Sequence, residues 1–138
     1  MAGAGYSGTP LATKLGIKAG MTVIAVKAPD ELAAWLDPVP EGVTFRSRLA
    51  GSADIVLFFT TSAVALRTAW PKLTVAGRAV WVCWPKKASK VPTDMTEDVV
   101  RAVVLPTGWV DVKVCAVDAV WSGLKLVVRV ELRGAARR

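Results

Sequence analysis

The sequence predicts an α/β fold of three layers, in which about six mostly parallel strands lie between helices and the sheet ends in a C-terminal antiparallel β-hairpin. Three observations carry this. Runs at residues 22–26, 54–59 and 79–84, apolar but for Thr22 and Asp54 at their starts, have the pattern of strands buried on both faces, as a parallel sheet requires. Helix signals separate those runs, so parallel pairing through crossovers is the natural arrangement. The C-terminal third instead alternates apolar and polar residues with period two, the mark of strands with one solvated face.

Taken in order, Thr22-Val23-Ile24-Ala25-Val26 is the first strand. Ala28-Pro29-Asp30-Glu31 reads as a helix start, with proline in the first turn and acids against the positive end of the dipole. That helix stops before Pro38. Residues 43–47 form a second, weaker strand and residues 54–59 a third. Ser62 is placed to cap a helix carrying Val64, Ala65, Leu66 and Ala69, which Pro71 should kink or interrupt. Ala76-Gly77 turns into the fourth strand at residues 79–84. Asp94 and Glu97 have capping-pair spacing, for a helix with Met95, Val99, Ala102 and Val103 along one side. Leu105-Pro106-Thr107-Gly108 ends it. Residues 110–116 and 124–132 alternate on either side of Ser122-Gly123, which reads as the hairpin turn.

With 138 residues, 53% of them apolar, the chain is sized for one domain with a core over about residues 10–132. The Gly-rich start, residues 1–8, and the basic tail, residues 134–138, are expected to fray. The start lacks the basic and apolar pattern of a secretory signal. The longest apolar stretch, residues 55–66, is broken by Thr60, Thr61 and Ser62 and is too short to span a bilayer. Cys83 and Cys115 lie in expected strands without CxxC spacing, which suits free buried thiols in a cytoplasmic protein. Eighteen Lys and Arg against eleven Asp and Glu give a net charge of +7, favouring an anionic small molecule, an acidic protein or nucleic acid over any membrane partner. No nucleic-acid-binding motif accompanies that charge. The chain has no histidine, which removes Ser-His and Cys-His nucleophile pairs and the commonest general base. Asp30, Glu31, Asp54 and Asp118 are scattered, so no carboxylate dyad, metal cluster or cofactor is expected.

Three segments resemble the S-adenosylmethionine-dependent methyltransferase fold, a Rossmann-like sheet ending in an antiparallel hairpin. Leu15-Gly16-Ile17-Lys18-Ala19-Gly20-Met21-Thr22-Val23 is similar to the approach to that family's first strand. Ala53-Asp54-Ile55-Val56-Leu57 is similar to its fourth-strand motif, and Leu73-Thr74-Val75-Ala76-Gly77-Arg78-Ala79-Val80-Trp81 to the turn into its fifth strand. Further segments, residues 6–11, 84–89, 91–94 and 112–118, resemble an uncharacterised bacterial family, domain of unknown function three-zero-five-two, which brings no activity with it. The methyltransferase resemblance implies glycines after strand one, where the cofactor's amino-acid part approaches the backbone, and an acid at the end of strand two for its ribose. This chain has Lys27-Ala28-Pro29-Asp30-Glu31 and Arg46-Ser47-Arg48 at those places, and arginine accepts no hydroxyl hydrogen bond. The segment between strands two and three is also too short for the family's extra helix and strand. The resemblance therefore implies the fold without its usual cofactor.

Candidate ligand-binding residues fall in two stretches. Lys86, Lys87, Ser89, Lys90 and Thr93 follow the carboxyl end of a central strand and lead into a helix, where open α/β sheets bind ligands. Their lysines suit phosphate, whereas Asp94 would repel it, and a solvated loop is the competing reading. Trp121, Ser122 and Lys125 surround the expected hairpin turn, where an exposed Trp beside a lysine suits stacking. The alternative is a Trp covering the sheet edge, with Trp81 and Trp109 in the core. Tyr6-Ser7-Gly8-Thr9-Pro10 reads either as a lid or as an ordinary N-terminal arm. The leading expectation is a non-catalytic binding or regulatory module using this edge. The alternatives are a small enzyme for a phosphorylated or nucleotide ligand at the Lys86–Lys90 loop, and a basic nucleic-acid-binding domain. The terminal strand invites dimerisation at the sheet edge, which Lys125 and Arg129 discourage.

Overall fold

The computed structural model describes residues 9–130 and 132. Tyr6-Ser7-Gly8 and the tail at 134–138 lie outside the described residues. Strands β1 (Thr22–Val26), β2 (Thr44–Arg46), β3 (Ala53–Phe59) and β4 (Gly77–Pro85) pair in parallel, and β5 (Trp109–Ala116) and β6 (Trp121–Val128) close the sheet antiparallel. The order across the sheet is β2-β1-β3-β4-β6-β5. Helices α1 (Leu11–Lys14), α2 (Leu32–Leu36), α3 (Ala63–Ala76) and α4 (Glu97–Val104) cover its two faces. The predicted three-layer α/β architecture is the one observed.

The apolar runs within β3 (residues 55–59) and β4 (residues 79–85) follow from burial on both faces. Alternate residues serve opposite layers. Ile24, Val56, Phe58, Val80, Val82 and Trp84 pack with Leu66, Trp70, Leu73, Val100 and Val104 of α3 and α4. Val23, Ile55, Leu57, Phe59, Trp81 and Cys83 pack with Leu11, Leu15, Leu32 and Leu36 of α1 and α2. Trp81 is fully buried and Trp109 nearly so, as expected. The Trp81 indole N–H donates to the Leu15 carbonyl at 2.9 Å, which ties α1 to the central strand. Trp70 and Trp109 meet edge to face, their ring centroids 5.4 Å apart.

Several elements differ from the sequence reading. Helix α1 was not expected. Pro29-Asp30-Glu31 forms a turn before α2, with no side-chain cap, and the helix proper begins at Leu32. Ser62 caps α3 as predicted, accepting from the Ala65 N–H at 3.1 Å, but Pro71 neither breaks nor ends it. Pro71 is exposed, so the hydrogen bond it cannot donate faces water. Helix α4 is capped by Thr96, which accepts from the Val99 N–H at 3.1 Å, and not by Asp94. Val100 and Val104 are its buried positions, while Ala102 is exposed.

The hairpin turn also moves. Ser122 and Gly123 lie inside β6, and the reversal falls at Asp118-Ala119-Val120. There the Asp118 carboxylate accepts from the N–H groups of Val120 and Trp121, at 2.9 and 2.7 Å. The exposed terminal strand is β5. A register irregularity between Asp111 and Lys113 leaves Val112 and Val114 about half exposed, where alternation had placed them inward.

Candidate functional site

The carboxyl ends of the parallel strands are where this type of sheet exposes backbone and loops to a ligand. At the end of β1, Lys27 takes a φ of 56°, the left-handed conformation that suits glycine. The chain then runs through Ala28 and Pro29 into the short α2. Pro29 contributes no N–H, and its carbonyl accepts from Leu32 N–H at 3.0 Å. The bend survives, carried on a side-chain-bearing residue.

Beyond this bend a cleft of about 490 Å³ opens between α2 and the outer strand β2. Ala28, Leu36, Val39 and Phe45 give it an apolar lining, with Asp30, Asp37 and Arg46 among its polar groups. It exists because the sheet stops at β2. Phe45 pairs in register with Val23, and among the described residues no further element covers it; it is 42% exposed. The short connection from β2 to β3, already visible in the sequence, leaves no strand beyond β2 to shield this flank. Arg46 lies at the end of β2, where an acid would bind a ribose, and donates to the Ser52 carbonyl at 2.7 Å.

An adenosylmethionine cofactor held in the methyltransferase manner does not fit these residues. A Cβ stands at every position from Lys27 to Glu31, Pro29 removes a donor, and Arg46 can only donate. The cleft's apolar lining points the same way.

The lysine loop follows β4 as expected, but much of its polarity is used internally. Lys86 Nζ donates to the Asp118 carbonyl at 3.0 Å. Ser89 Oγ donates to the Lys86 carbonyl at 2.6 Å, and Thr93 Oγ1 to the Thr61 carbonyl at 2.7 Å. Asp94 accepts from Ala63 N–H at 2.8 Å, so its carboxylate already occupies the N-terminus of α3 where an anion would otherwise bind. Lys87 and Lys90 point into solvent at the exposed rim. Trp121 is half-buried, edge to face with Phe59 at a centroid distance of 5.2 Å, and packs on the α1–α2 face of the sheet at the end of β4, not at an open edge. Ser122 lies next to it in β6.

Lys125 is separated from that group. It pairs with Trp81 on one side and Lys113 on the other, along the strand from Trp121 and on the face covered by α1. There it joins Lys18 and Lys113, two residues the sequence reading did not single out. Burial first, then the charges of Lys113 and Lys18, push the Lys125 ammonium below its ordinary pKa. Sequence-adjacent lysines marked the loop; only strand register could reveal this second cluster. Both cysteines are free and buried, and burial raises each thiol above its ordinary range. Among the described residues no group of His, Cys, Asp or Glu could hold a metal, and no helix is long and apolar enough to cross a membrane.

Comparison with solved structures places this architecture among methyltransferase folds. A protein assigned to the type 11 methyltransferases, from Sulfolobus solfataricus, superposes with a TM-score of 0.58 at 12% identity, covering 86% of this chain and 89% of that one. A ribosomal protein L11 methylase from Lactobacillus delbrueckii subsp. bulgaricus gives 0.52 at 12% identity, covering 86% and 75%. A cyclopropane-fatty-acyl-phospholipid synthase-like protein from Lactobacillus casei gives 0.52 at 9% identity, covering 85% and 88%. The chain thus has a methyltransferase-like Rossmann fold. No family model matches the sequence, and no curated protein does.

Proposed function

We propose that this chain is a non-catalytic, one-domain binding module built on a methyltransferase-like sheet, and that its ligand is small and largely apolar. The observation that carries this reading is the 490 Å³ cleft beside the glycine-free end of β1, lined by Ala28, Leu36, Val39 and Phe45. An apolar cleft of this size suits burial of a small ligand, with Asp37 and Arg46 available to orient it. Methyl transfer would need a donor site that these residues do not provide. The free thiols Cys83 and Cys115 support a cytoplasmic setting.

Titration with the neutral fluorophore phenylnaphthylamine tests it, with calorimetric titration of adenosylhomocysteine in parallel. Saturable fluorescence enhancement is expected, weakened about fivefold or more by Phe45→Ala, a loss on the order of 1 kcal/mol. Adenosylhomocysteine should give no heat at about 1 mM, a limit near −4 kcal/mol of binding free energy. Micromolar adenosylhomocysteine binding that is abolished by Ala28→Leu would restore the cofactor and overturn the proposal.

A further inference from the structure

The surface formed by β5, β6 and the loop after α1 lies at the opposite end of the sheet from the apolar cleft. Lys113 and Lys125 are register partners on adjacent antiparallel strands, and like charges so placed destabilise a sheet. Lys18, exposed two residues beyond Gly16, adds a further positive charge that acts on Lys125. Among the described residues these lysines form no ion pair; the ion pairs seen there are all made by Arg101. Lys113 has one partner, the carbonyl of Lys14 at the end of α1, at 3.0 Å. Lys125 Nζ reaches over Gly16, close enough that a methyl group there would sit 3.4 Å from it. The absence of a side chain at Gly16 keeps the ammonium approachable beside backbone.

From this arrangement we propose that Lys18, Lys113 and Lys125 form a binding site for a phosphoryl-type oxyanion, seated beside Gly16. The site is distinct from the Lys86–Lys90 loop and independent of the cleft reading. Paired like charges with no ion-paired acid among the described residues are costly when the site is empty, and an anion carrying two or more charges offsets that cost. A purely structural role explains Lys113, which has a carbonyl partner, but gives Lys125 nothing to hold. The bend at Gly16 has a φ of 82°, so the loop that carries Lys18 past Lys125 depends on that glycine.

Thermal unfolding of the full chain, in sodium chloride with and without sodium pyrophosphate at matched ionic strength, tests the proposal. Pyrophosphate at about ten times its Kd should raise the Tm by roughly 4 °C. That shift should vanish in Lys125→Met and shrink by at least half in Lys18→Gln, while Lys87→Gln retains it. Without ligand, Lys125→Met should melt at or above the parent temperature, because a crowded charge is gone and the aliphatic stem remains. If Lys125→Met does not fold, the exposed Lys18→Gln decides the matter alone. ATP in place of pyrophosphate asks whether the phosphoryl group belongs to a larger ligand, and a short single-stranded oligonucleotide asks whether it belongs to a nucleic acid. A lysine-dependent shift from any of these supports the site and assigns its source. No shift from any of them, or one that Lys125→Met and Lys18→Gln leave undiminished, would overturn it.

Discussion

Lys27 holds a left-handed backbone conformation at the end of β1, with φ at 56°. An L side chain there crowds its own carbonyl, at a cost of about 1–2 kcal/mol, whereas glycine escapes that crowding and gives back part of the gain through its freer unfolded chain. Lys27→Gly should therefore stabilise the protein by about 1 kcal/mol, read as a higher urea midpoint at an unchanged m-value. The same variant bears on the missing cofactor. Should glycine at this bend alone confer adenosylhomocysteine binding, the obstruction would lie in one side chain; the position of Pro29 and the donor-only Arg46 predict that it will not. Asp94 makes the related point that a residue's role depends on what it reaches. Its carboxylate occupies the N-terminus of α3, 31 residues earlier, and so competes there with any anion that the neighbouring lysines would otherwise suit.

At the scale of elements, the join between α3 and β4 shows how tightly the layers are set. Gly77 follows the helix directly, and a Cβ on it would lie 2.8 Å from Val56 Cγ2 and 3.1 Å from the Ala79 carbonyl. Gly77→Ala should cost about 1–3 kcal/mol, because both neighbours are strand atoms with little room to yield. Chemical denaturation measures that loss, and a neutral result would mean that β4 can slide away from β3. The strands themselves were legible in the sequence, since burial on both faces writes an apolar run such as residues 55–59 of β3. Cap ownership was not. Asp94 has the chemistry of an N-cap, and only tertiary structure decides that it serves α3 while Thr96 serves α4. Ser122-Gly123 misled for a similar reason. Gly123 sits within a strand because a Cβ there would come 3.1 Å from Trp81 Cε3, so the glycine records close packing rather than a turn. The candidate site was legible in part. The short link after β2 was visible, but the cleft it leaves was not read from it, because Leu36, Val39 and Phe45 form no local motif, and the pairing of Lys113 with Lys125 depends on a register irregularity that local pattern does not encode.

At the scale of the whole molecule, the buried thiols tie global stability to pH. Cys83 lies 1% exposed in the layer beneath α1 and α2, and burial, reinforced by Cys115, raises its pKa well above the ordinary 9.0. In the unfolded chain it loses its proton near pH 9, whereas the folded protein retains it. The unfolded state thus binds fewer protons above pH 9, and stability must fall as pH rises. The stabilising contribution is complete below pH 9 and diminishes by about 1.4 kcal/mol for each pH unit above it, until the folded thiol itself ionises. Cys115, also raised by burial, acts in the same direction. Lys125 opposes them. Its folded pKa lies below 10.5, so the unfolded state binds more protons between those two values and stability there rises with pH. Cys83 should dominate between pH 9 and 10, because its environment is dry core while Lys125 keeps contact with water. Urea unfolding at pH 8, 9, 9.5 and 10 is expected to show flat stability up to about pH 9 and a steepening decline beyond it. In Cys83→Ala the plateau drops for lack of packing, but the decline should flatten to the balance of Cys115 against Lys125. A decline equally steep in that variant would place the titrating group elsewhere and remove Cys83 from the pH dependence of the fold.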